Sequence, residues 1–341
     1  MIRRLPHSLA AGLAFGLAST LAGANDAPRA CASIDEDTAR LACYDRAFGR
    51  VPVPVEDQVA KRTQAQAMQG RTLAEEWDLE GATPRPAFEL RVHKPTYLLL
   101  GTHTDHVNAR PVSDNPRNVA AEDQAVQPTE AQFQLSFKTK VWDHVMGSPV
   151  SAWAGYTQSS RWQVYNGNVS RPFRETNYEP EAILAMPLAL PFRVAGFESR
   201  MAAVSFTHQS NGRSEPLSRS WNRVIGQWGF ERGDTTVLLR PWWRVKERPD
   251  TDDNPHINDY IGRGEIVVAH RFGGQVVSVQ ARHSLRGGAN SRGSVRLEWS
   301  LPLWGFLKAH VMVFNGYGES LVDFNHRQTM VGAGISLVDW R

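Results

Sequence analysis

The chain has 341 residues, of which 41% are apolar and 21% charged, and its formal net charge of +3 gives no reason to expect nucleic acid as a partner. Beyond the first residues no stretch approaches the roughly 18 to 20 apolar residues that a membrane helix requires, and the mean hydropathy is −0.40, which excludes a helical membrane protein. Eleven Trp residues stand out, because aromatic girdles mark the two interfaces of membrane β-barrels.

The N-terminus reads Met-Ile-Arg-Arg, then an apolar run from Leu9 to Leu21, then Ala22-Gly23-Ala24. That is the charged, hydrophobic and small-residue order of a cleaved secretory signal, so residues 1–24 are expected to be removed. Cys31 and Cys43 follow as the two cysteines of the chain, and in an exported protein they are expected to form one disulfide. Residues 25–86 are polar and rich in Ala, Gln and Glu, with short helices at 61–69 and 73–79, and read as a periplasmic extension. A second polar stretch, residues 108–128, has no apolar periodicity and reads as a loop.

From about Phe88 the period changes to two. It is clearest in Phe133-Gln-Leu-Ser-Phe-Lys-Thr-Lys-Val141, where apolar and polar residues alternate over most of the run, as in a half-buried strand. Similar runs recur around Tyr97, Trp153, Ile183, Val204, Val224, Leu238, Ile266, Val279, Leu297, Val311 and Ile335, separated by Gly, Pro, Asn or Asp. About twelve strands of about ten residues match an all-β, 12-stranded antiparallel transmembrane β-barrel of the bacterial outer membrane, over residues 87–341. A soluble β-sandwich uses the same alternation, and the export signal favours the barrel.

Chemistry concentrates in His208-Gln-Ser210-Asn-Gly212-Arg-Ser-Glu-Pro-Leu-Ser218-Arg-Ser-Trp-Asn222-Arg. By the period of two, Val204, Phe206, His208 and Ser210 share one strand face. A chain reversal about Pro216 would set Asn222 opposite Ser210, with His208 one diagonal away. In such an arrangement His208 takes the proton of the Ser210 hydroxyl, the hydroxyl attacks an ester carbonyl, and the Asn222 amide oxygen orients the imidazole. An amide in place of the usual carboxylate is the less costly group to desolvate on a lipid-facing surface.

These residues resemble the outer-membrane phospholipase A family, whose hallmark is the His-x-Ser-Asn-Gly-Arg-Ser segment followed by Ser-Arg-Ser-Trp-Asn-Arg. Pro172-Phe-Arg-Glu-Thr-Asn-Tyr-Glu-Pro180, Thr251-Asp-Asp-Asn-Pro255 and Gly316-Tyr-Gly-Glu-Ser-Leu-Val-Asp323 are similar to further segments of that family, so the resemblance runs from about Phe133 onward. It implies a calcium-dependent hydrolase of the acyl esters of glycerophospholipids and lysophospholipids, at both 1- and 2-positions. His208, Ser210 and Asn222 would be the triad, and the Gly212 N–H would contribute to the oxyanion hole. Calcium ligands would be Ser170, the Arg213 carbonyl and Ser218 in an active homodimer, with Asp253 resembling a calcium carboxylate of the monomer and Gln158 a polar residue of the dimer contact. The competing expectations are a non-catalytic barrel, either a small porin or a structural protein, and a secreted soluble esterase.

Overall fold

The structure, a computed structural model, describes residues 30–49, 72–79, 87–305 and 307–340. The leader at 1–24 and the helix expected at 61–69 lie outside the described residues. The chain divides into two compact units, Met1–Ala65 and Gln66–Arg341.

In the first unit a helix, α1 (Asp37–Ala47), begins where the Glu36 carboxylate accepts from the Thr38 and Ala39 backbone N–H groups at 3.0 and 2.6 Å. Cys31 and Cys43 are joined in a disulfide, as expected, with Cα atoms 5.4 Å apart.

The second unit is a closed antiparallel barrel of twelve strands: β2 (Thr96–Thr104), β3 (Thr129–Trp142), β4 (Ser151–Trp162), β5 (Phe173–Pro187), β6 (Glu198–Ser210), β7 (Ser220–Arg232), β8 (Thr235–Arg244), β9 (Gly264–Phe272), β10 (Gln275–His283), β11 (Gly293–Trp304), β12 (Leu307–Tyr317) and β13 (Arg327–Val338). Consecutive strands pair, and β13 returns to β2 to close the ring. A short preceding strand, β1 (Leu90–Val92), continues the edge of β2 along β3 after a break at Pro95, whose missing N–H cannot serve the ladder. Connections at one end are mostly tight turns, and those at the other are loops of up to 24 residues, so the barrel has a turn end and a loop end.

Side chains sort by the pleat. Leu135, Phe137, Leu184, Val204, Phe206, Leu239, Val279, Leu297, Val311 and Val331 are exposed on the outside, while Lys138, Thr207, Arg223, Arg240, Gln280, Glu298 and Ser300 are buried inside. An apolar outside around a polar inside suits lipid and not water. Exposed Trp142, Phe192, Phe272 and Trp304 lie toward the turn end, and Trp162, Tyr165, Phe173 and Trp243 toward the loop end, as two aromatic belts require. Among the described residues no helix is long and apolar enough to cross a membrane.

The lumen is filled. Arg240 meets Glu265 at 2.5 Å, Arg223 meets Glu179 at 3.1 Å, and His93 meets Glu181 at 2.7 Å. Buried charge on this scale persists only when each group has a partner. At the loop end, residues 318–326 fold into the mouth, where Arg161 pairs with Glu319 at 2.8 Å and Arg174 with Asp323 at 2.8 Å.

The sequence reading placed residues 73–79 in the extension before residue 87. Instead helix α2 (Leu73–Trp77) belongs to the barrel unit and closes its turn end from within. Thr72 caps it with a reciprocal bond to Glu75, and its Leu73 and Trp77 pack against Trp153, Ile183, Ala185, Met201, Leu238 and Val267. Lys138 Nζ lies 3.3 Å from the Trp77 ring centroid and 3.0 Å from Glu76 Oε1. Trp77→Ala should therefore cost about 3 kcal/mol, the usual consequence of emptying a buried aromatic site. Guanidinium unfolding of the detergent-refolded protein, followed by tryptophan fluorescence, reads this loss; an unchanged midpoint would mean that the helix does not brace the barrel.

Candidate active site

Strands β6 and β7 are joined at the loop end by residues 211–219, and the joint sets the register. Asn211 is the clamp: its N–H donates to the Arg219 carbonyl at 3.0 Å, its Oδ1 accepts from the N–H groups of Arg213 and Arg219 at 3.3 and 2.9 Å, and its Nδ2 donates to the Leu217 carbonyl at 2.8 Å. Pairing Asn211 with Arg219 centres the reversal on Glu215. The register is consequently offset from the one expected for a reversal about Pro216: Asn222 stands opposite His208, and Ser210 stands opposite Ser220. The offset is two residues, so the expected side of the sheet is unaffected. Val204 and Phe206 are exposed outside, and His208 and Ser210 follow them on that face as half-buried residues.

The corrected register brings His208 and Asn222 into contact, with His208 Nδ1 2.9 Å from Asn222 Oδ1. An amide oxygen only accepts, so Nδ1 carries the hydrogen and Nε2 keeps its lone pair. Ser210 lies two residues on, on the same face of the same strand. Across the other edge of β6, Tyr178 pairs with Ser210 and Glu181 with Thr207, while Glu179 and Pro180 make no pair between them. Pro180 has no N–H to donate, which leaves the β5–β6 seam unladdered beside His208.

Behind this outer face, Gln209 Oε1 accepts from Trp221 Nε1 at 2.8 Å and from Arg223 Nη2 at 3.1 Å, and the Arg223 guanidinium stacks 4.1 Å from the Trp221 ring. These inward residues pin the two strands that carry the outward His, Ser and Asn. Gly212 follows the end of β6 at φ +63°, and a Cβ there would meet the Tyr178 ring at 3.1 Å, so both conformation and space favour glycine.

Of the residues expected to bind a cation, two meet. Ser218 Oγ donates to Asp253 Oδ2 at 2.6 Å, in a nest that also holds Asn118 Nδ2, 3.0 Å from the Ser218 carbonyl and 3.4 Å from Asp253 Oδ1. Asn254 Oδ1 accepts from the Ser220 N–H at 2.9 Å, tying this loop to the start of β7. Arg213 sits in the same connection, its guanidinium reaching the Arg174 carbonyl at 2.7 Å. Ser170 is exposed on another loop, at φ +56°. The two loops adjoin, since Val169, Pro172, Arg213 and Leu217 line one cleft. Among the described residues no three His, Cys, Asp or Glu side chains surround a common point, and the oxygen set of hydroxyl, carbonyl and one carboxylate is of the kind calcium prefers.

Gln158 faces outward on β4, its Oε1 accepting from the Tyr156 hydroxyl at 3.1 Å, and pairs across the ladder with Tyr178. Gln158, Tyr178 and Ser210 thus occupy one cross-strand row. The loop-end residues Asn118, Asn211, Arg219 and Asn254 did not emerge from the sequence as parts of the site. Asn118 and Asn254 are fully buried, and Arg219 bonds the carbonyls of Pro216, Ser218 and Asn118; such side-chain to backbone bonds leave no periodic signal.

Burial alone would raise the Asp323 carboxyl, but Arg174, Ser320 and Asn108 hold it at about 2. The mouth of the barrel therefore keeps its ionic clamp through the whole neutral range.

Comparison with known proteins gives one consistent result. Residues 73–337 match the Phospholipase A1 family. A putative phospholipase A1 of Neisseria meningitidis serogroup B is 34% identical over 91% of this chain and 90% of its own length. The solved outer membrane phospholipase A from Escherichia coli aligns with 35% identity over 76% of this chain and 95% of that one, with a TM-score of 0.66. That protein is also known as an active-site mutant with an Asn replaced by Ala. A Salmonella typhi outer membrane phospholipase dimer with bound calcium aligns with 34% identity over 74% of this chain and 93% of that one, with a TM-score of 0.64.

Proposed function

Because the chain belongs to the Phospholipase A1 family, and is with it an outer-membrane phospholipase, we propose that it hydrolyses acyl esters by a Ser210-His208-Asn222 triad that works with calcium. The observation that carries the triad is the 2.9 Å bond between His208 Nδ1 and Asn222 Oδ1 on the outward face that Ser210 shares. The active-site Asn of the E. coli relative supports the same assignment.

The steps follow from the groups present. His208 Nε2 takes the Ser210 proton as Oγ attacks the ester carbonyl, and the Gly212 N–H would stabilise the oxyanion. The proton then passes from Nε2 to the leaving glycerol oxygen, which departs as lysophospholipid. Water, deprotonated by the same nitrogen, cleaves the acyl-serine and releases the fatty acid. Asn222 holds the imidazole in one tautomer throughout. Calcium, held by Ser170, the Arg213 carbonyl and Ser218, would supply a positive charge to the oxyanion; Asp253, already on the Ser218 hydroxyl, would be an alternative ligand in the monomer.

The face is surrounded by substrate at all times, so an enzyme complete as a monomer would degrade its own membrane. A homodimer that contributes ligands across its contact, near Gln158, answers this, and the calcium-bound dimer of the Salmonella typhi relative supports it. We further propose that the enzyme acts at 1- and 2-acyl positions and on lysophospholipids, and that residues 1–24 are a signal.

The test is hydrolysis of phospholipid in mixed micelles by detergent-refolded protein, read as fatty-acid release. Hydrolysis that disappears in His208→Ala and falls only partly in Asn222→Ala is expected, since an orienting amide contributes less than a reacting group. No hydrolysis by the intact chain at any calcium concentration would instead favour a passive barrel.

A further inference from the structure

Glu175 faces inward near the loop end of β5 and is 1% exposed, yet among the described residues no cationic side chain pairs with it. Arg161, opposite it on β4, and Arg174, next to it in the chain, are committed to Glu319, Glu130 and Asp323. A buried carboxylate without an ion-pair partner is costly, so the groups it does hold carry the argument. Three N–H donors converge on it: Asn177 Nδ2 and the Val322 N–H reach Oε1 at 2.7 and 3.1 Å, and Asn211 Nδ2 reaches Oε2 at 3.3 Å. Val322 belongs to the segment that fills the mouth, and Asn211 closes the catalytic hairpin. One carboxylate therefore ties the two together, and Leu217 and Val322 add an apolar contact between the same segments.

The Asn211 amide is fully used. Its oxygen accepts from the Arg213 and Arg219 N–H groups, and its NH2 donates to the Leu217 carbonyl and to Glu175. An amide can sit either way round, and the acceptors on one side and donors on the other decide which. Glu175 suits this task because a carboxylate accepts at both oxygens, whereas an amide at the same place would set an NH2 against Asn211 or against Asn177 and Val322. The consequence reaches the site directly. The bond from the Arg213 N–H to Asn211 Oδ1 fixes the peptide between Gly212 and Arg213, and this peptide lies between the N–H proposed for the oxyanion and the carbonyl proposed for calcium.

We propose that Glu175 is a positioning residue for the calcium loop: acting through the Asn211 amide, it holds the Arg213 carbonyl where calcium takes it, and makes the mouth segment part of the same hydrogen-bonded unit. The proposal rests on the reading of calcium at Arg213 given above. It assigns a task to a carboxylate that neither the triad nor the proposed calcium ligands use.

The test is calcium activation of phospholipid hydrolysis by the full-length, detergent-refolded protein, compared in Glu175→Gln, Asn211→Asp and the double variant. Each single substitution sets like against like, donor against donor in the first and acceptor against acceptor in the second. Each is expected to raise the calcium concentration for half-activation about tenfold, as the loss of one hydrogen bond to a charged group would. In the double variant the contact is reversed but complementary, an amide donating to a carboxylate, so half-activation should return to within about threefold of the unsubstituted protein. General damage to the barrel would accumulate and not cancel. Losses that add up in the double variant, or a half-activation concentration unmoved in Glu175→Gln, overturn the proposal. If Asn211→Asp alone fails to refold, the double variant should recover the altered migration of the unheated barrel, and failure to recover it overturns the proposal equally. Hydrolysis by the unsubstituted protein that is indifferent to calcium would instead overturn the calcium reading on which the proposal rests.

Discussion

Ser210→Ala is expected to lower phospholipid hydrolysis by about a thousandfold or more while leaving the barrel folded. The side chain removed is small, half-buried and on the outer face, and the Tyr178, Ser210 and Ser220 pairing is made by backbone groups that the substitution does not alter. What is lost is the only step that the remaining residues cannot replace, the formation of an acyl-serine. Fatty-acid release measures the activity, and altered gel migration of the unheated protein reports the closed barrel, which has no free edge from which to open. Near-normal release from a folded Ser210→Ala protein would remove Ser210 from the mechanism.

Chelation of calcium should have an effect of similar size. An oxyanion stabiliser contributes about a hundredfold to a thousandfold to turnover, and the calcium proposed for this site would also link two subunits. Ser170 is on a different loop from Arg213 and Ser218, so ligands shared across a dimer contact would make calcium binding and dimerisation favour each other. Calcium titration followed by both hydrolysis and crosslinking should show activity and dimer rising together. Full activity from a monomer in chelator would contradict this control mechanism while leaving the triad untouched.

Much of the barrel was legible because a surface between lipid and a polar lumen forces alternation on every strand, as in Phe133 to Val141. The register of the active hairpin was not. Two residues of offset preserve the face of every side chain, so hydrophobic pattern cannot detect them, and only the Asn211–Arg219 closure decides whether Asn222 meets Ser210 or His208. The stretch at 108–128 read as a featureless loop because Asn115 and Asn118 act through hydrogen bonds to the Asp252 and Ser218 carbonyls, which no periodicity announces. Helix α2 was recognisable as a helix but not as a plug, since five residues are too few to display the face they bury.

The central claim is that Ser210 is a nucleophile activated by His208, and covalent labelling examines it most directly. The refolded protein, with calcium, is treated with a lipophilic fluorophosphonate, digested, and analysed by mass spectrometry. A single adduct on Ser210 is predicted, strongly reduced in His208→Ala and in chelator. An adduct on Ser218 or Ser220 instead, or equal labelling of Ser210 without His208, would contradict it.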